Sequence, residues 1–185
     1  IRIFSTGGIG GIHRGRDGDV SADLTALGTI PVAVICAGAK AILDLPRTVE
    51  ALETLGIPTL GFLTNAFPEF WSPGKHLPVS TRVDSPSEVA DILEAHWSSG
   101  LTSGVVVATP VPTEYAIDSL TIEHAVVCGL NTATEEEIQG SELTPFLLAE
   151  VAKVTNGASL EANIALVINN ARIAGGIAVA FTEVG

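Results

Sequence analysis

Short apolar runs punctuated by glycine and proline constrain this chain more than any other feature. Val32 to Cys36 is β-branched and apolar at consecutive positions. A strand with one wet face alternates apolar and polar residues; an unbroken run reads as a strand buried on both faces. Gly104 to Ala108 repeats that pattern, and Thr59 to Leu63 and Ile1 to Thr6 read as two further strands. Helical signals lie between and after them. Ser21 is placed to cap a short helix, Pro46 stands in the first turn of the next with Gly56 just past its end, and Ser85-Pro86-Ser87-Glu88 combines a capping box with proline at the first helical position. The helix begun there runs to about Trp97, and the pattern turns helical near Ser119 to Leu130, Pro145 to Thr155 and Ser159 to Ile177. Alternating strands and helices predict an α/β fold.

Composition supports this and removes several function classes. With 185 residues, 46% of them hydrophobic, the chain can bury one substantial core, and no repeat or linker marks a boundary, so a single domain over 1–185 is expected. A net charge of −12 repels polyanions, which argues against a nucleic-acid polymer as partner. Arg2, Arg14, Arg16 and Lys40 nonetheless fall in the first forty positions and could form a local pocket for a small anion such as a mononucleotide. Cys36 and Cys128 make neither a disulfide framework nor a metal spacing. Apolar runs such as Ile30 to Ala37 stop short of a membrane span, so a soluble cytoplasmic protein is expected, with no membrane partner. The chain has no Met and opens on Ile1-Arg2-Ile3-Phe4 as if a strand were already under way, so a partial translation product is expected.

Thr6-Gly7-Gly8-Ile9-Gly10-Gly11 ends the first strand and reads either as a backbone cradle for an anion or as a tight turn. It matches neither a Walker A loop nor a dinucleotide fingerprint. Beyond it, His13, Asp19, Ser21 and Asp23 are of the types that converge on a phosphorylated sugar. Asp19 suits a hard divalent cation held largely by oxygen and water, or simply closes a turn, as Ser21 simply caps a helix. Lys40 lies just past the C-terminal end of Val32–Cys36, where open α/β sheets place their ligands. Shielded from water there, it is a nucleophile able to form an imine; otherwise it snorkels to solvent from a helix start. Asn163, Asn169 and Asn170 cannot all share one helical face, so one or two of them should reach a site.

Phe4-Ser5-Thr6-Gly7-Gly8-Ile9-Gly10-Gly11, His13-Arg14-Gly15, Ser21-Ala22-Asp23-Leu24 and Cys36-Ala37-Gly38-Ala39-Lys40, in that order, resemble the pseudouridine-5′-phosphate glycosidases, formerly labelled indigoidine synthase A-like. Leu52 to Pro58, Thr144 to Leu148, Asn163 and Asn169-Asn170 extend the likeness over nearly the whole chain. The resemblance implies a three-layer α/β/α fold with a mixed, largely parallel sheet, of which this chain would be the C-terminal part. It implies reversible conversion of pseudouridine 5′-phosphate and water into uracil and ribose 5-phosphate. Uracil is attached through carbon, so the usual two glycosidase carboxylates do not suffice; a lysine imine at C1′ of the opened ribose takes their place.

By motif match the lysine is Lys40, and Asp19 binds Mn²⁺. Ser21, Ala22 and Asp23 line the substrate site, Thr6 helps hold phosphate, and His13 and Asn163 lie close by. The loop from His13 to Asp19 is a little shorter than in bacterial relatives. The family's general-acid glutamate and a phosphate-binding lysine fall in an N-terminal part beyond this chain, so the fragment would be catalytically incomplete, and that part would be a partner. Family membership also implies a homo-oligomer, typically a trimer, and sometimes fusion to a sugar kinase. The competing readings are a non-catalytic phosphosugar-binding or assembly fragment, and another lysine-imine enzyme of aldolase type.

Overall fold

The computed structural model describes residues 1–15, 18–138 and 142–184. Five strands, β1 (Ile3–Ser5), β2 (Ala33–Cys36), β3 (Thr59–Phe62), β4 (Thr81–Val83) and β5 (Val105–Ala108), form one sheet in the order β1-β2-β5-β3-β4. All four ladders are parallel, so the sheet is more uniform than the mixed one expected. The central strands β2, β3 and β5 are buried at every position, which is why their sequences do not alternate.

Successive side chains point to opposite faces, and each face has its own core. Val34, Cys36, Val106 and Ala108 join Leu24 and Leu27 of α1 (Ala22–Thr29) and Leu45 and Leu52 of α2 (Leu45–Thr54). Ala33, Ile35, Val105 and Val107 face the other way, onto Val89 and Leu93 of α3 (Pro86–Ser98) and Ala174 and Ile177 of α6 (Ala158–Val184). This is the three-layer α/β/α arrangement. Each fully buried Val or Leu stabilises it by about 1.5–3 kcal/mol. α4 (Ser119–Glu135) and α5 (Leu143–Val154) pack on each other and extend the first core.

The predicted caps are in place. Ser21 Oγ accepts from the Asp23 amide at 3.2 Å, and Ser85 Oγ from the Glu88 amide at 3.2 Å. Glu88 closes its box one residue earlier than expected, on the Asp84 amide at 2.8 Å. Three features depart from the sequence reading. β4 is a three-residue edge strand too short to leave a periodic signal, and a single 3₁₀ turn spans Thr113–Tyr115. α6 runs 27 residues to Val184 rather than to Ile177, which makes it long and apolar enough to cross a membrane by length and composition. Here it serves as a layer helix, packed on α3, β1 and β2, with Ala162 and Leu166 in one core and Ala174 and Ile177 in the other.

Candidate active site

The parallel strands all end on the same side, and a cleft of about 570 Å³ runs along β1 and β2 from Ile30 and Val32 to those ends at Thr6, Gly7, Gly8 and Lys40. Thr6, Gly7, Gly8, Asp23, Lys40 and Asn163 supply its polar wall, and Phe4, Ile30, Val32 and Val167 are among its apolar residues. Four of the residues singled out in the sequence are therefore brought together: Thr6, Asp23, Lys40 and Asn163. His13, Asp19, Ser21 and Ala22 are not part of the cleft wall; Ser21 and Ala22 directly precede Asp23, which is. The Ser21 amide donates to the Gly11 carbonyl at 2.9 Å, and the His13 amide to the Asp19 carbonyl at 3.0 Å. Asp19 thus does close a turn through its backbone, with its half-buried side chain at the neck of the loop. The loop tip, Arg16 and Asp17, lies outside the described residues.

The glycine run is tightly packed rather than an open cradle. A Cβ on Gly10 would stand 2.2 Å from Ser21 Oγ, one on Gly11 2.4 Å from Thr48 Oγ1, and one on Gly8 2.7 Å from the Phe70 ring. Several amides of this stretch are committed internally: Ile9 to the Gly38 carbonyl at 3.0 Å, Gly10 to Asp23 Oδ2 at 2.8 Å, and Ile12 to Thr48 Oγ1 at 3.0 Å. Gly7 and Gly8 face the cleft. Asp23 therefore holds the glycine loop with one carboxylate oxygen while lining the cavity.

Lys40 stands where the sequence placed it, half-buried at the end of the β2 segment. Its amide donates to the Ile9 carbonyl at 3.2 Å, and its carbonyl accepts from the Leu43 amide at 3.0 Å, so the backbone that presents it is fixed on both sides. The expected basic pocket is much reduced. Arg2 lies over the Trp97 ring at 5.0 Å and bonds the Pro31 carbonyl, while Arg14 is taken up by Leu43, Ala41 and Glu123. Among the described residues of that set Lys40 alone lines the cleft, and Arg2 and Arg14 have carbonyl, aromatic and carboxylate partners; Arg16 lies outside the described residues.

Beneath the cleft runs a buried polar network that the sequence reading did not assign. Asn170 is fully buried; its Nδ2 donates to the Thr6 carbonyl at 2.8 Å and approaches that of Gly7 at 3.3 Å. Its Oδ1 accepts from Thr109 Oγ1, which also lies 3.2 Å from the Cys36 carbonyl. One amide thereby joins the ends of β1, β2 and β5. Asn163 and Asn170 are two helical turns apart on α6 and share a face, whereas Asn169 borders a separate hollow with Arg172 and Thr113. That spacing was the available signal. Cys36, in the same floor, is no nucleophile at neutral pH. Burial pushes its thiol up to about 12, against a weaker opposing pull from the Gly38 and Ile9 amides.

Phe70 is a second residue missed. It holds φ at 66°, a conformation that costs a bulky side chain about 1–3 kcal/mol. Its amide bonds the Ala37 carbonyl at 3.0 Å, its ring covers Gly8, and it packs edge-on against Trp71 at 4.9 Å. Of the four described non-glycine residues with positive φ, Leu63, Phe70, Glu137 and Asn156, Phe70 is the one in the cleft wall.

Comparison with known proteins places this geometry. A pseudouridine-5′-phosphate glycosidase of Caldanaerobacter subterraneus subsp. tengcongensis is 50% identical over 181 residues, covering 97% of this chain and 59% of its own length. The Escherichia coli K12 protein of the same name is 48% identical, covering 96% of this chain and 58% of its own length. This chain thus spans a little under two thirds of the curated relatives it matches. Among solved structures, a prealnumycin C-glycosynthase in complex with ribulose 5-phosphate superposes with a TM-score of 0.93 at 34% identity, over 100% of this chain and 61% of the other. An indigoidine synthase A-like protein of Thermotoga maritima superposes with a TM-score of 0.88 at 42% identity, over 97% of this chain and 59% of the other. The family model for indigoidine synthase A like protein matches residues 1–180, so the chain belongs to that family.

Proposed function

We propose that this chain is the Lys40-bearing part of a pseudouridine-5′-phosphate glycosidase, read as one domain of a cytoplasmic enzyme. The observation that carries the reading is Lys40 itself, half-buried in a cleft at the strand ends with Thr6, Gly7, Gly8, Asp23 and Asn163 around it. The names of its relatives, and the ribulose 5-phosphate bound to a related C-glycosynthase, support a phosphorylated pentose as ligand.

In this mechanism the Lys40 amine bonds C1′ as the C1′–O4′ bond breaks and its proton passes to O4′, which opens the ribose. The carbon–carbon bond to uracil then breaks with its electron pair going to uracil C5, which takes up a proton, and leaves an imine between Lys40 and C1′; water hydrolyses that imine to ribose 5-phosphate and restores the amine. Thr6 and the Gly7–Gly8 backbone would receive the phosphate, Asn163 and Asp23 would hold sugar hydroxyls, and Ser21, Ala22 and His13 would act from the border. The hydrogen bonds of the Lys40 backbone to Ile9 and Leu43 fix the point from which the side chain enters the cleft, which limits the freedom lost on binding.

Mn²⁺ held through Asp19 is what the family likeness implies for this chain. Among the described residues no group of three or more His, Cys, Asp or Glu side chains converges to hold a metal. One carboxylate, Asp19, with water and substrate oxygens suits a hard cation and not a thiolate- or imidazole-bound one. When bound, the ion would supply positive charge against the phosphorylated substrate. Assembly as a homo-oligomer, a trimer by family likeness, is supported by the apolar side chains that α6 leaves exposed, Leu160, Ile164 and Ile168 among them.

The test is uracil release by the whole protein with Mn²⁺. Release from pseudouridine 5′-phosphate and none from uridine 5′-phosphate is expected. Aldol cleavage of a sugar phosphate without uracil release would favour an aldolase-type enzyme, and binding without turnover a phosphosugar-binding protein.

A further inference from the structure

We propose that Arg14 is a positioning residue that holds the turn presenting Lys40 and ties it to α4. The inference rests on the reading of Lys40 as the reacting amine. Lys40 to Leu43 form a tight turn, closed by the Leu43 amide on the Lys40 carbonyl at 3.0 Å. The carbonyls of Ala41 and Leu43 are both taken by one guanidinium, Arg14 Nη2 at 3.2 Å and Nε at 3.0 Å. The remaining arm, Nη1, reaches Glu123 Oε1 of α4 at 2.7 Å.

The lysine turn, the His13–Asp19 loop and α4 therefore meet at one side chain. Arg14 itself belongs to the loop that carries His13 and Asp19, and His13 pairs with Leu43 in an antiparallel bridge. Movement of that loop is thus linked to movement of the lysine turn. The guanidinium is suited to this because its donors are fixed in one plane and can grip two carbonyls at once, whereas an ammonium is a point donor on a flexible stem. The Glu123 arm is the weaker one. Glu123 is 52% exposed against 24% for Arg14, and an ion pair that open to water contributes little. The two carbonyl bonds are the grip; the glutamate orients the fork.

The test uses the whole protein with Arg14→Ala, Arg14→Lys and Glu123→Gln, reading kcat and KM for pseudouridine 5′-phosphate, melting temperature, and amide exchange over residues 40–44. Since a misplacement near 1 Å can cost about 100-fold in rate, Arg14→Ala should lower kcat by at least about 30-fold with KM within about threefold. It should speed exchange in the 40–44 turn and leave β2 protected. Arg14→Lys should recover only a minor part of kcat, and Glu123→Gln should stay within about twofold of wild type. Unchanged kcat or unchanged exchange in Arg14→Ala overturns the proposal. So does full recovery by Arg14→Lys, or a loss matched by exchange rising through the whole sheet. If Arg14→Ala fails to fold, Arg14→Lys carries the same readouts. If the wild type releases no uracil, the reading of Lys40 fails on its own, and exchange in the turn alone decides whether Arg14 holds it.

Discussion

The floor of the cleft and its rim are built on opposite terms. In the floor, Asn170, Thr109 and Cys36 are fully or almost fully buried, and the polar groups of Asn170 and Thr109 are partnered. At the rim, Asp23 and Ala22 are exposed, Lys40 and Ser21 are half-buried, and Phe4 and Ile30 are 51% and 52% exposed. A saturated buried network fixes one geometry, since breaking any bond in it strands a partner away from water. An open rim keeps side chains free to meet a ligand. Rigidity is therefore placed beneath the cleft, and exposed side chains at its rim.

The largest effect should come from the floor. Asn170→Ala strands the Thr6 carbonyl and leaves the Thr109 hydroxyl only the Cys36 carbonyl, and unfolding by denaturant should show a loss of about 3 kcal/mol. A loss under about 1 kcal/mol would mean the network does not join the strand ends as described.

Cys36 gives a pH-dependent effect of intermediate size. Its thiol is pushed from an ordinary 9.0 to about 12 in the fold, so the unfolded chain releases that proton first. The stability this provides is complete below about pH 9 and is lost as pH rises toward 12. Between those values wild type should lose up to about 1.4 kcal/mol per pH unit more than Cys36→Ala. Parallel stability curves for the two proteins from pH 8 to 10.5 would contradict the burial argument.

The smallest effect belongs to the rim. Ser21→Ala removes the cap on the Asp23 amide and should cost about 1 kcal/mol of stability. If KM for the phosphorylated substrate rises as well, Ser21 touches substrate; if only stability falls, it is a cap and nothing more.

The sequence displayed local features well and distant ones poorly. The caps at Ser21 and Ser85 were legible because they depend on three or four neighbouring residues. The buried strands β2 and β5 were legible because unbroken apolar runs have few other uses. Lys40 was legible as a candidate because strand ends are where parallel sheets bind ligands, and the cleft does include it. The strand order was not readable, since β5 inserts between β2 and β3 through contacts far apart in sequence. Asn170 was ambiguous for the same reason: its partner Thr6 is 164 positions away. For Arg2 and Arg14 the basic pocket was over-read, because charge counted along the chain does not reveal that they are spent on carbonyls and an aromatic ring. Phe70 gave no sign of itself. Its positive φ follows from the close approach of its loop to Gly38, where a Cβ would stand 2.0 Å from the Pro68 carbonyl oxygen.

The most direct measurement is reductive trapping. The whole protein is incubated with ribose 5-phosphate and borohydride and then mapped by peptide mass. The account predicts a reduced pentose phosphate adduct on Lys40, absent from Lys75 and Lys153 and lost in Lys40→Met together with uracil release. An adduct on another lysine, or uracil release that survives in Lys40→Met, would contradict it.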